Sequence, residues 1–168
     1  MDQEKDEYFM KMALEEAKKS FELQEVPVGA VLVKNNLVIA RAHNLVETMQ
    51  DPSCHAELLC IKAGAQILKN WRLLDCTLYI TLEPCVMCFG AIVSARIKKI
   101  VWGAKDLRQG ACGSWVDLMK ANHPIHQIEC QQGVLQEESS MLLKSFFQQR
   151  REANANKKKF NRSFGPLI

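Results

Sequence analysis

The sequence has no apolar run that approaches the about 20 residues of a membrane span. Its opening, Met1-Asp2-Gln3-Glu4-Lys5-Asp6-Glu7, lacks the basic start and apolar stretch of a secretory leader. There is no internal repeat, and no low-complexity tract apart from a polar C-terminal end. A disulfide framework is missing too. The seven cysteines are an odd number, and Cys54, Cys60, Cys76, Cys112 and Cys130 stand without ligand spacing. In a chain long enough for an ordinary core, those five read as buried free thiols. These absences argue against a membrane-spanning helix and a secreted disulfide scaffold. They lead us to expect a cytoplasmic, reducing setting.

The chain has 168 residues, 48% hydrophobic and 24% charged, which suits one domain with a proper core. The net charge of +3 is unevenly spread. From Lys144 to the end stand seven basic residues (Lys144, Arg150, Arg151, Lys157, Lys158, Lys159, Arg162) and one acid, Glu152. A weakly acidic body with a basic end fits either a local contact with phosphates or a merely solubilising tail.

The hydrophobic pattern predicts the elements. Phe9, Met12, Ala13 and Ala17 give an amphipathic helix over 6–21. The β-branched run 26–33 and the segment 37–40, joined at Asn35-Asn36, read as a hairpin. A helix follows to about Leu68, with Ser53 as its expected N-cap. Cys76–Leu82 is a strand. Pro84 starts a helix that runs to about Ser94. Strands are expected at 99–103 and 125–130, separated by a glycine-bearing loop. A closing helix spans 135 to about 151. This order predicts an α/β layered fold around one mixed sheet. Residues 1–153 form the expected domain, and 154–168 a basic, flexible tail.

The chemistry is concentrated in two short motifs, His55-Ala56-Glu57 and Pro84-Cys85-Val86-Met87-Cys88. Cys85 and Cys88, three apart at a helix start, lie on one face and can share a metal. A structural zinc site is usually closed by four protein ligands, whereas a catalytic one has three and leaves a position for water. Residues two apart on a helix do not face each other. His55 and Glu57 therefore share a site only if the His55 side chain turns back past the helix end. His-x-Glu followed by Pro-Cys-x-x-Cys is the signature of zinc nucleobase deaminases, in which Glu is the acid/base and not a ligand. A closed zinc knot, with Cys54 or Cys60 as fourth ligand, is the alternative.

The chain resembles the bacterial-type tRNA-specific adenosine deaminases, which convert adenosine to inosine at the anticodon wobble position. Besides the two motifs, the second of them extended back to Thr81-Leu82-Glu83, the resemblance is carried by Val26-Pro27-Val28-Gly29-Ala30-Val31, His43-Asn44, Ser94-Ala95-Arg96-Ile97 and Gly103-Ala104-Lys105-Asp106. Gly110-Ala111-Cys112-Gly113-Ser114 and Phe146-Phe147-Gln148-Gln149-Arg150-Arg151 complete it. It implies a three-layer α/β/α, cytidine-deaminase-like fold with a five-stranded mixed sheet flanked by helices. It also implies one Zn2+ per subunit on His55, Cys85 and Cys88, zinc-bound hydroxide as nucleophile, and Glu57 as proton shuttle. Asn44, Val28 and Ala56 would meet the base. Lys105, Asp106, Arg108, Phe146, Phe147, Arg150 and Arg151 would meet RNA. The implied partners are a tRNA anticodon stem-loop and a second copy of the chain, with no membrane and no organic cofactor. From the residues alone, Asn44 could instead cap a turn, one of Phe146 and Phe147 could be core, and the arginines could be solvated. A free guanine or cytidine-type deaminase is the alternative function, and a non-catalytic zinc-bearing subunit a further one.

Overall fold

Alternate side chains of the strands go to two different cores, which is how the sheet comes to be covered on both faces. The computed structural model describes residues 2–121 and 123–164. In β1 (Gly29–Lys34), Ala30 and Leu32 join one cluster and Val31 and Val33 the other. In β3 (Cys76–Leu82), Leu78 and Ile80 are set against Tyr79, and in β4 (Lys99–Ala104) Ile100 and Trp102 against Val101. With β2 (Leu37–His43) and β5 (Glu129–Gln132), the described strands form one sheet in the order β2-β1-β3-β4-β5. Strand β1 is antiparallel to both neighbours, and β3, β4 and β5 run parallel.

Helix α1 (Asp2–Glu22) and the closing helix α5 (Gln136–Phe164) cover one face. Helices α3 (Ala56–Leu68) and α4 (Val86–Ser94) cover the other. The result is the three-layer α/β/α arrangement with a five-stranded mixed sheet. Gly29 permits the close approach of α1: a Cβ there would lie 2.0 Å from the carbonyl oxygen of Ala13. At the start of α1, buried Asp6 accepts from the Tyr79 hydroxyl at 2.7 Å and from Lys99 at 2.9 Å, tying the helix to the sheet.

Several local expectations need correction. Ser53 does not cap α3. Its amide and hydroxyl both donate to Asp51 Oδ1, at 2.7 and 2.6 Å, and this turn delays the helix until His55 becomes the N-cap. Cys85, not Pro84, precedes the first residue of α4. A short helix, α2 (Val46–Met49), follows β2 unannounced by any apolar period. Strand β5 begins later than expected, at Glu129.

Most visibly, α5 continues to Phe164, where the sequence reading ends the helix near Arg151 and makes 154–168 a flexible tail. Residues 152–159 are Glu, Ala, Asn and Lys, with no glycine or proline before Gly165-Pro166, so nothing in them stops an established helix from propagating. Residues 165–168 of the expected tail lie outside the described residues.

Candidate active site

Two helix starts meet at one point. His55 has extended dihedrals (φ −71°, ψ 148°) as the N-cap of α3, and Cys85 (φ −75°, ψ 172°) as the N-cap of α4. Because His55 stands outside the helical turn, the two-residue spacing to Glu57 imposes no helical angle between them. His55 Nδ1 lies 3.5 Å from Cys88 Sγ and 3.7 Å from Cys85 Sγ. Tetrahedral zinc, with bonds of about 2.3 Å to sulphur and about 2.0 Å to nitrogen, sets such ligand pairs about 3.5 Å apart. The three atoms thus already have the spacing of a zinc ligand set. All three lie within 4.8 Å of one another, and the group contains neither Cys54 nor Cys60. Cys60 instead donates its thiol to the Ala40 carbonyl at 3.5 Å, inside the core. The closed zinc knot is therefore not formed, and three ligands leave a coordination position open.

The donor set, one imidazole and two thiols, suits a cation as well. The Cys88 thiol donates to Cys85, which holds the Cys85 thiol down at about 4 and pushes that of Cys88 up. The hydrogen bond to Cys85 raises the pKa of His55. A bound cation takes the place of these protons, since cysteine ligates as thiolate and histidine as the neutral ring. Glu57 is 4% exposed, and burial raises its pKa.

A cleft of about 470 Å³ opens over these groups, within the range of small-molecule sites. His55, Glu57 and Cys85 line its base, and Cys88 is buried behind them. Val28 and Asn44 form part of one wall. Lys105, Asp106, Leu107, Arg108 and Gln109 form another, with Phe147 of α5 at its edge. The Arg108 guanidinium lies 5.7 Å from the centre of the Phe147 ring. Asp106 Oδ1 accepts from the amides of Arg108 and Gln109 at 3.0 and 3.2 Å, so this carboxylate shapes its own turn. A shallow groove continues past the cleft between Arg108, Phe147, Lys144 and Arg151.

Two of the expected contact residues have side chains that do not face the cleft. The Ala56 side chain is fully buried in the core under the sheet, because the first residue of α3 turns inward, so it does not line the cleft. Phe146 is 1% exposed and packs edge-on against Phe21 at 5.7 Å, so its ring belongs to the α1–α5 contact. Adjacent helical positions point apart, and Phe147 takes the cleft side. Exposed Arg150 lies 5.5 Å from the Phe146 ring, outside the cleft lining.

Two acidic residues at the cleft were given no role by the sequence. Glu25 is fully buried beside the cleft and accepts from Asn44 Nδ2 at 3.2 Å and from the amides of Glu47 and Thr48 at 3.2 and 2.6 Å. It thereby orients Asn44, itself 6% exposed. Glu83 accepts from the loop after β4. The available signal was a charge placed at the border of an apolar run, just before Val26 and just after Leu82.

Comparison with known proteins places this geometry in context. The family model described as the cytidine and deoxycytidylate deaminase zinc-binding region matches residues 3–104. A tRNA-specific adenosine deaminase of Bacillus subtilis (strain 168) is 49% identical over 147 residues, covering 88% of this chain and 91% of that protein. A chloroplastic tRNA(adenine(34)) deaminase of Arabidopsis thaliana is 46% identical over 161 residues, covering 86% of this chain and only 12% of that much longer protein. A chain solved in a study of A-to-I editing by tRNA:A34 deaminases at the wobble position of transfer RNA matches with a TM-score of 0.78. That match has 40% identity and covers 81% of this chain and 99% of the other.

Proposed function

We propose, because the chain belongs to the tRNA-specific adenosine deaminases within the wider family that carries the cytidine and deoxycytidylate deaminase zinc-binding region, that it hydrolyses adenosine to inosine and ammonia at the anticodon wobble position of tRNA. The observation that carries the reading is the convergence of His55 Nδ1, Cys85 Sγ and Cys88 Sγ at zinc-ligand spacing, with buried Glu57 beside them at the base of an open cleft.

His55, Cys85 and Cys88 would hold one zinc ion. When bound, zinc lowers the pKa of a coordinated water towards neutrality. Glu57 moves the protons: its carboxylate takes one from water, delivers it to the ring nitrogen, and then serves the departing amine. Its burial suits a carboxyl that must hold a proton part-way through a reaction. Asn44, oriented by Glu25, offers its amide to the nucleoside, and Val28 offers an apolar surface to the base.

The flipped base enters from outside, so the cleft rim meets the flanking nucleotides. Lys105, Arg108 and Phe147 supply charge and a stacking face there, and Lys144, Arg150 and Arg151 continue the basic surface along α5. Asp106 acts by shaping the rim. Exposed Val86 and Met87 on α4 and exposed Trp71 support a homodimer, in which a second copy would cover apolar surface next to the metal ligands. Free thiols throughout the described chain suit a cytoplasmic, reducing setting.

The test is incubation of the purified protein with an anticodon stem-loop bearing adenosine at the wobble position, and separately with free guanine and cytidine. Inosine in the loop supports the reading. Turnover of the free compounds with an untouched loop overturns it.

A further inference from the structure

Glu83 sits just past the end of β3, one residue before Pro84 and two before the ligand Cys85. It is 2% exposed. Its carboxylate accepts from the backbone amides of Asp106 at 3.1 Å, Cys112 at 2.9 Å and Ser114 at 3.1 Å, and from the Ser114 hydroxyl. Among the described residues no lysine, arginine or histidine forms an ion pair with it. A buried carboxylate held only by neutral donors depends on every one of them, since loss of any leaves an acceptor unsatisfied away from water.

The donors come from both ends of one loop. Asp106 belongs to the part that walls the cleft, and Cys112 and Ser114 to the return. Gly110 lies between. A Cβ there would fall 2.5 Å from Glu83 Cδ and 2.6 Å from Oε2, so the absence of a side chain is what lets the carboxylate enter the loop. The middle of the loop is also registered on the metal-ligand segment: Gly110 pairs with Cys85 in an antiparallel bridge, and the Ala111 amide donates to the Pro84 carbonyl at 2.9 Å. Among the described residues, Glu83 is therefore the side chain that joins the two ends of the loop, while the backbone of Pro84 and Cys85 is held by main-chain bonds to its middle.

We propose that Glu83 is a positioning residue: it clamps residues 105–114 so that the Lys105–Gln109 wall is preformed beside the zinc ligands, and so controls how tightly the RNA is held. The proposal rests on the RNA reading above. It separates the two acidic residues by role. Glu83 spends its acceptors on one loop, whereas Glu57 lines the cleft beside the metal-ligating group.

The experiment compares Glu83→Gln and Glu83→Ala with the unaltered full chain. Three quantities are read: zinc per chain, hydrogen exchange at the amides of Asp106, Cys112 and Ser114, and KM and kcat on the stem-loop. Expected are unchanged zinc, exchange at those three amides faster by about tenfold in Glu83→Gln and by more in Glu83→Ala, and KM raised by about tenfold with kcat within about threefold. Unchanged exchange overturns the clamp. Unchanged KM with a collapsed kcat, or lost zinc, overturns the positioning role and moves Glu83 into the metal centre. If Glu83→Ala does not fold, Ser114→Ala removes only the hydroxyl donor; KM and exchange must then rise together, and if neither moves the proposal fails. If the unaltered chain makes no inosine, it is the RNA reading that fails. Exchange needs no substrate, and it then decides the clamp alone: loss of protection supports it and full protection overturns it.

Discussion

Glu57 and Glu16 are both buried carboxyls, and their neighbours set opposite pKa directions. Around Glu57 burial dominates and raises its pKa, next to three converging zinc ligands. Glu57→Gln keeps the volume and removes the proton carrier. Inosine formation should fall by about 10²–10⁴-fold, the usual contribution of a placed acid/base, while metal analysis still finds about one zinc per chain. Loss of zinc in that variant would make Glu57 a structural residue. Around Glu16, burial also works to raise the pKa, but hydrogen bonds from Lys19 at 2.7 Å and His43 at 3.0 Å outweigh it and the net shift is downward. A depressed carboxyl stabilises the fold above its unfolded value of 4.5, and the gain is lost as pH falls through the lower folded value. Thermal melts of the parent and Glu16→Gln should therefore differ by about 2–4 °C near pH 7, and the gap should close progressively as the pH falls below the unfolded value of 4.5. A constant gap across that range would remove Glu16 from the acid limb.

At the level of elements, Gly29 sets the close contact between α1 and β1. Gly29→Ala forces a Cβ to within 2.0 Å of a backbone oxygen of α1 and 2.5 Å of a backbone nitrogen, neither of which can rotate away. Urea unfolding should show a loss of about 3 kcal/mol or more, the upper range for overpacking; a loss under about 1 kcal/mol would mean that α1 slides freely. Helix α5 carries the basic end of the chain as one element to Phe164. Truncation after Ala153 removes Lys157, Lys158, Lys159 and Arg162. If these meet phosphates, stem-loop affinity falls by about tenfold at 100 mM salt and its salt dependence becomes shallower. Unchanged affinity would leave the segment a solubiliser. Strands and buried helices were legible here because their side chains alternate or recur with the backbone period, as in Leu78, Tyr79 and Ile80. Helix ends were not. Ser53 looked like a cap but is held by Asp51, and residues 152–159 offer no bulky apolar residue at helical spacing to announce that α5 continues.

For the molecule as a whole, the convergence of His55, Cys85 and Cys88 beside Glu57 was readable in sequence because a group that could hold a metal needs fixed residue types at fixed spacing. The walls of the cleft were less so. Glu25 and Glu83 act through backbone amides far along the chain, and a single sequence does not show which loop will fold over which carboxylate. Nor does it show that Phe147 faces the cleft while Phe146 faces Phe21. The His-x-Glu and Pro-Cys-x-x-Cys motifs would read the same way in a guanine or cytidine deaminase, so the central claim concerns the substrate and the source of the oxygen. It is tested most directly by mass analysis of a wobble-adenosine stem-loop after incubation in ¹⁸O-labelled water. The account predicts inosine at the wobble position, with the label in the base and ammonia released. An unchanged loop, with labelled product from free guanine or cytidine instead, would contradict it.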